Sequence, residues 1–412
     1  MSLVNMKDMV DHAYRHNYAV GAFELLNLEL LQGVMAAAER CRAPVILSLA
    51  ESRFESVEFE LLVSAAECAA QRASVPVAIH SNHGRDTQSA LRAINGGCNG
   101  VMVDASRCEL GRNISVTGAV VAMARACGVP VEGALGCVPE TEGDAAQANP
   151  EDVVFTAVAE AQGFVDRTGV DFLAVSIGTV RGRMRAKPKL HWQRLKQLNE
   201  ALDIPLTIYG GSSLHDSQFS RLVANGVAKI NYCTGLADAA FEQIRASTRG
   251  NARGCYTSAM RAVQEAVEQE TERCLRLSGA AGRAAEVLEQ CRHWVPVEHE
   301  VSCEVEELDD SVVEAVMAEG GRVLSTIPGV REIRSGKAVQ DDDLCRYSWL
   351  VRFCHSAAID SYREHPAFVE FAGRRFRPGR RADVESDPIT LGADRASFSD
   401  NHFVWVPQAV RG

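Results

Sequence analysis

Two short segments, the glycine-bearing Gly210-Gly211-Ser212 and Asn231-x-x-Thr234, each close an apolar run and carry the clearest ligand chemistry in the chain. Glycine lets backbone N–H groups approach an anion, and Ser or Thr hydroxyls complete the cradle. The pair therefore reads as a phosphate site, with ordinary βα turns as the competing reading. Other polar clusters end neighbouring runs: His80-Ser81-Asn82-His83, Asp104-Ala105-Ser106, and Gly178 to Gly182 with Arg181. A lysine near such an end, Lys229, opens the option of a Schiff base with a ketone. Cys137 and Cys233 lie close by, but cysteine at such positions is more often a small apolar filler than a nucleophile.

These clusters need elements that bring them together. From Ala19 to Thr234, short β-branched runs alternate with helix-length segments, the pattern of βαβ units on a parallel sheet. The runs lie near Ala19, Pro44, Val75, Gly100, Val129, Phe172, Pro205 and Val227. Eight of them fit a closed (β/α)8 TIM barrel better than an open doubly wound sheet, which would carry a G-x-G-x-x-G turn after its first strand. In such a barrel the chemistry gathers at the C-terminal strand ends, where the polar clusters fall.

The 412 residues predict two or three domains. A net charge of −11 has the wrong sign for a nucleic acid backbone or an anionic lipid surface, so neither nucleic acid nor membrane is an expected partner. Thirteen cysteines without a C-x-x-C pair suggest neither a disulfide framework nor a thiolate zinc site. With a polar N-terminus and no apolar window of membrane length, a soluble cytoplasmic protein is expected.

Tyr256 to Leu277 reads as a long amphipathic helix closing the first domain, 1–285, and a linker is placed at 286–296. A second pattern follows over 297–391. Strands are expected at Val297–Glu307, Val330–Lys337, Tyr347–Phe353 and near Asp383–Leu391, with helices at Ser311–Ser325 and Ala357–Ala372. This is a small α+β unit of ferredoxin-like order, followed by a C-terminal tail, 392–412.

Across roughly Met1 to Ala281 the chain resembles the class II ketose-bisphosphate aldolases, the fructose- and tagatose-bisphosphate enzymes. The likeness rests on Ala19-Val20-Gly21-Ala22-Phe23, Pro44-Val45-Ile46-Leu47, Val103-Asp104-x-Ser106, Val131-Glu132, Leu173-Ala174-Val175-x-Ile177-Gly178-Thr179 and Lys229-x-Asn231-x-x-Thr234. By that resemblance Gly182, Gly210, Ser212 and Thr234 hold the dihydroxyacetone phosphate group, with Gly211 in the same turn, while Asn231 and Asp104 contact substrate. The family carries three zinc-ligating histidines, a catalytic aspartate before the first of them and a nearby glutamate, so that the metal polarises the ketone. Here the ligand positions hold His83, Arg181 and Tyr209, the aspartate position holds Asn82, and the glutamate position Ala134. One imidazole does not make a zinc site, which takes three protein ligands when catalytic, so no metal or other cofactor is expected.

Decay to a non-catalytic relative would be blind to chemistry, whereas Arg, Tyr and Asn all form hydrogen bonds. Replacement is favoured. Arg181 would stand in for the metal at the oxyanion, His83 would act as general acid or base, and Tyr209 would donate a proton. Glu142, in Pro139-Glu140-Thr141-Glu142, aligns with the family's flexible-loop glutamate. The family keeps a lysine at position 229 without Schiff-base chemistry, which argues against that role here.

Residues 297–391 resemble the stress-responsive dimeric α/β barrel modules through His299, Ile327-Pro328-Gly329-Val330 and Ser361-Tyr362-Arg363-x-His365-Pro366-Ala367-Phe368. That resemblance implies a homo-oligomer, a dimer or higher. It also leaves Phe368 where some cyclising relatives place a histidine. The expectation is a carbon–carbon lyase of aldolase type acting on a phosphorylated ketose or a dihydroxyacetone-phosphate-like substrate. The alternatives are a non-catalytic phospho-ligand-binding scaffold and a biosynthetic cyclase working through the C-terminal domain.

Overall fold

The computed structural model describes residues 2–51, 58–136, 147–148, 153–179, 182–184, 189–249, 255–303, 310–338, 347–375, 389–390 and 403–407. Eight parallel strands close a barrel: β1 (Val20–Glu24), β2 (Val45–Ala50), β3 (Val77–Gly84), β4 (Gly100–Val103), β5 (Val131–Leu135), β6 (Phe172–Val175), β7 (Leu206–Ile208) and β8 (Val227–Tyr232). Their order around the barrel is β1-β8-β7-β6-β5-β4-β3-β2. All eight coincide with the apolar runs read from the sequence. Closure comes at β1, where Ala22 registers with Asn231 on one side and Ile46 on the other. The strands are buried on both faces, by the barrel interior and by the helical shell, which is why their sequences run apolar without strict alternation.

The helix Tyr256–Leu277 forms as expected and buries Val263, Val267, Thr271 and Cys274, a stripe at three- and four-residue spacing. It lies against the helix Leu28–Cys41 at Gly33, where an added Cβ would stand 2.8 Å from the Gln264 carbonyl oxygen and 2.9 Å from Val267 Cβ. The linker expected over 286–296 is in part helical, because Ala284–Gln290 forms a short helix of seven residues. Its Ala-rich, Gly-flanked sequence had hidden that short helix.

A second contact unit comprises Ile94–Gly97, Met123–Gly128 and Trp294–Gly412. It holds an antiparallel sheet of β9 (Val297–Cys303), β10 (Val330–Ala338), β11 (Tyr347–Phe353), β12 (Ile389–Thr390) and β13 (Phe403–Pro407) in the order β12-β9-β11-β10-β13. The first four strands keep the ferredoxin-like order. Two expectations change. The helix expected over 357–372 is two helices, Ala357–Glu364 and Pro366–Arg375, because Pro366 cannot continue the first but suits the opening turn of the second. Within the tail, for which no strand was expected, Phe403–Pro407 adds an edge strand on β10.

Trp349 marks the helix-covered face of this sheet, donating to the Met317 carbonyl at 3.2 Å and meeting the Phe371 ring edge-on. The opposite face carries Glu298, Arg352, Glu332 and Arg334, joined by ion pairs of 2.6 Å (Arg352–Glu298), 3.5 Å (Arg352–Glu332) and 2.6 Å (Arg334–Glu332). Among the described residues, no helix is long and apolar enough to cross a membrane.

Candidate active site

In an unbroken strand, Asn82 and His83 would point to opposite faces. The end of β3 departs from that alternation: its register with β4 shifts between Ser81 and Gly84, and His83 takes a left-handed φ of 56°. Such a conformation costs a non-glycine residue of order 1–3 kcal/mol and collects at functional sites. The result is that both side chains reach one phenol. Tyr209 Oη lies 2.6 Å from Asn82 Oδ1, and the His83 ring centroid lies 4.8 Å from that of Tyr209. The His83 imidazole is oriented by Asp104, Nδ1 to Oδ2 at 3.1 Å, and the other Asp104 oxygen accepts from Ser106 Oγ at 2.6 Å.

Below this layer the barrel holds a buried polar cluster. Tyr209 Oη is also 2.9 Å from Glu132 Oε1 and 2.7 Å from Met102 Sδ. Glu132 Oε2 pairs with Lys229 Nζ at 2.9 Å, and Lys229 donates to Asn231 Oδ1 at 2.8 Å. Glu132 and Lys229 are wholly buried, so each charge depends on the other. Burial pulls the Lys229 ammonium below the usual lysine range, against the attraction of Glu132. His80, also wholly buried, stands 3.8 Å from Glu132 Oε2. Burial first, then Lys229 and His83, hold its pKa well below the ordinary value, so it is neutral.

The segments ending β7 and β8 meet. Gly210 adopts φ 80° and leads into a single 3-10 turn, Gly211–Ser213. Ser212 Oγ accepts from Gly235 N at 2.9 Å, at the start of the helix Thr234–Arg249. Gly211 touches β8 so closely that a Cβ would fall 2.7 Å from Ile230 Cγ2. A helix N-terminus and a glycine turn thus share one corner of the barrel, an arrangement suited to phosphate.

The other expected site residues distribute unevenly. Gly182, with φ 89°, precedes Arg183–Met184, which pairs with Gln147–Ala148. Asn231 donates its amide to the Ile208 carbonyl at 3.2 Å and accepts from Lys229 at 2.8 Å. Arg181, Glu142 and Cys137 lie outside the described residues. Ala134 joins Met102, Ala174 and Tyr209 in a buried apolar contact, so a methyl group occupies the space of the family's glutamate. The described side chains at the zinc positions are one imidazole held by Asp104 and a phenol already bonded to Asn82 and Glu132. They do not fit a metal that takes three basic ligands, and among the described residues no three His, Cys, Asp or Glu converge.

Glu132, His80 and Met102 were not singled out as site residues from the sequence, and Lys229 was weighed only as a nucleophile. Their signal was weak: a charged or polar residue inside an otherwise apolar strand, which gains meaning only when several strands aim such residues at one point.

A closed parallel barrel with a glycine turn and a helix N-terminus at the ends of β7 and β8, and a buried polar cluster beside them, has the architecture of a barrel enzyme. Residues 4–283 match the model of the fructose-bisphosphate aldolases of class II, and the chain belongs to this family. It is 31% identical over 285 residues to the sulfofructosephosphate aldolase of Alkalicoccus urumqiensis, spanning 69% of this chain and 99% of that one. It is 37% identical over 237 residues to a fructose-bisphosphate aldolase of Geobacillus stearothermophilus, spanning 57% and 82%. Among solved structures, the YdjI aldolase of Escherichia coli K12 superposes with a TM-score of 0.62 at 30% identity, covering 68% of this chain and 99% of that one. The protein is an aldolase-like lyase built on a TIM barrel.

Proposed function

We propose that the protein makes or breaks the carbon–carbon bond next to the carbonyl of a phosphorylated ketose, or of a dihydroxyacetone-phosphate-like substrate, without bound zinc. The relatives named for sulfofructosephosphate and fructose bisphosphate support the substrate class. The observation that carries the reading is the adjacency of Tyr209, bonded to Asn82 and with its ring tilted against that of His83, to the Gly210–Ser212 turn. On this reading Gly182, Gly210, Gly211, Ser212 and Thr234 hold the phosphate, and Asp104 and Asn231 define the substrate's position. Arg181 stabilises the oxyanion, His83 shuttles a proton, Tyr209 and Asn82 hydrogen-bond the reacting oxygens, and Glu142 assists from its loop. A guanidinium supplies fixed positive charge where the family uses a cation.

Residues 297–391 serve, in this proposal, as a dimerising module that makes the protein a homo-oligomer. A cytoplasmic setting accords with its ten described free cysteines. The test is a retro-aldol assay on fructose and tagatose bisphosphates, with metal analysis and with and without chelator. Turnover that survives chelator, and that Arg181→Ala reduces at least tenfold, is expected. Turnover abolished by chelator would overturn the metal-free reading.

A further inference from the structure

The lyase chemistry requires a base for the hydroxyl proton of the bond being cleaved, and Asn82 is an amide that cannot be one. A carboxylate does stand one residue deeper. Tyr209 Oη has a single proton, and among the described residues the acceptors Asn82 Oδ1, Glu132 Oε1 and Met102 Sδ lie within reach. An ionised carboxylate is the strongest acceptor of the three. The proton therefore lies toward Glu132. Asn82, whose amide oxygen and nitrogen are interchangeable by a flip, then donates to the phenol oxygen rather than accepting from it.

We propose that Glu132 is the proton acceptor of the lyase reaction and works through Tyr209, supplying the carboxylate that position 82 lacks. The inference rests on the lyase reading above. In the cleavage direction the substrate hydroxyl passes its proton to Tyr209 Oη as Tyr209 passes its own to Glu132 Oε1. The O–H electron pair becomes the new C=O bond of the aldehyde, and the C–C pair becomes the enediolate. The proton ends on Glu132, the negative charge on the enediolate oxygen; condensation runs the same transfers backwards. Lys229, 2.9 Å from Glu132 Oε2 and anchored by Asn231, sets its ammonium beside the carboxylate, and both side chains are wholly buried. Glu132 never meets the substrate; it is a positioning and proton-holding residue.

Two assays on the full chain separate this role from a structural one. Cleavage of a ketose bisphosphate needs the hydroxyl proton removed, whereas solvent deuterium exchange into dihydroxyacetone phosphate removes a C–H proton and does not. Glu132→Gln is expected to lower cleavage by about 10²–10³-fold, the usual weight of a general base, and to leave exchange within about threefold of wild type. Tyr209→Phe should lower cleavage as far, with no further loss in the double variant. Because Glu132→Gln leaves Lys229 without its counterion, Glu132→Gln/Lys229→Met provides a charge-balanced form that should show the split as well. Unchanged cleavage, or equal loss of cleavage and exchange, in the charge-balanced variant overturns the relay alone. A wild-type chain inert in both assays overturns the lyase reading itself.

Discussion

A methyl group at position 211 would meet Ile230 Cγ2 at 2.7 Å and the Asn231 carbonyl oxygen at 2.9 Å. Backbone cannot yield as a flexible side chain can, so Gly211→Ala should cost about 1–3 kcal/mol and loosen the anion corner. Denaturant unfolding and the protection given by inorganic phosphate would both register the loss. His80 makes a different kind of prediction. Its folded pKa lies below the 6.5 of the free imidazole, so above that pH it contributes nothing to pH dependence. On acidification the unfolded chain takes up a proton that the folded chain refuses, and stability falls by up to about 1.4 kcal/mol per pH unit. His80→Gln should flatten the acid side of the stability curve, measured by melting between about pH 6.5 and 5. At this scale the Gly210–Ser213 turn was legible because glycine and hydroxyl residues signal locally. The triple engagement of Tyr209 was not, because its partners come from three other strands.

The strand end at β3 shows how an element can override its own period. Two consecutive residues serve one site only because a register shift and a left-handed His83 break the alternation. Nothing in His80-Ser81-Asn82-His83 announces the bulge. Gly33 poses the corresponding question for helices. Alanine there would gain up to about 1 kcal/mol of helix propensity, yet its Cβ would press the Gln264 carbonyl at 2.8 Å. Overpacking of this kind costs about 1–3 kcal/mol and wins, so Gly33→Ala should lower the melting temperature despite the better helix former. An increase would mean that the helices Leu28–Cys41 and Tyr256–Leu277 separate freely. The split at Pro366 was in principle readable, since proline marks its own helix start; a 16-residue apolar period obscured it.

For the whole molecule, the proposed dimer would join two copies of the sheet face bearing Glu298, Glu332, Arg334 and Arg352. Half-exposed ion pairs weaken as the Debye length shrinks, from about 10 Å at 0.1 M to about 3 Å at 1 M salt. Sedimentation velocity across that range should show the assembly loosening as salt rises. Indifference to salt would place the contact elsewhere. Removing 297–412 should change assembly and leave cleavage of the ketose bisphosphate in place; loss of turnover with a folded barrel would transfer the chemistry to the second unit.

Sequence alone determined the barrel, because eight apolar runs separated by helical periods have few ways to bury both faces of every strand. It also determined the glycine turn Gly210-Gly211-Ser212, whose residues are neighbours in the chain, and the replacement of two of the family's three metal ligands by Arg181 and Tyr209, with His83 kept. Tertiary structure decided what Tyr209 does. Asn82, Met102, Glu132 and Lys229 lie between 20 and 127 positions from it, and only closure of the barrel sets them around one hydroxyl and one carboxylate. Chain order encodes local conformation strongly, whereas a buried hydrogen-bond network depends on distances across the barrel that no stretch of sequence contains.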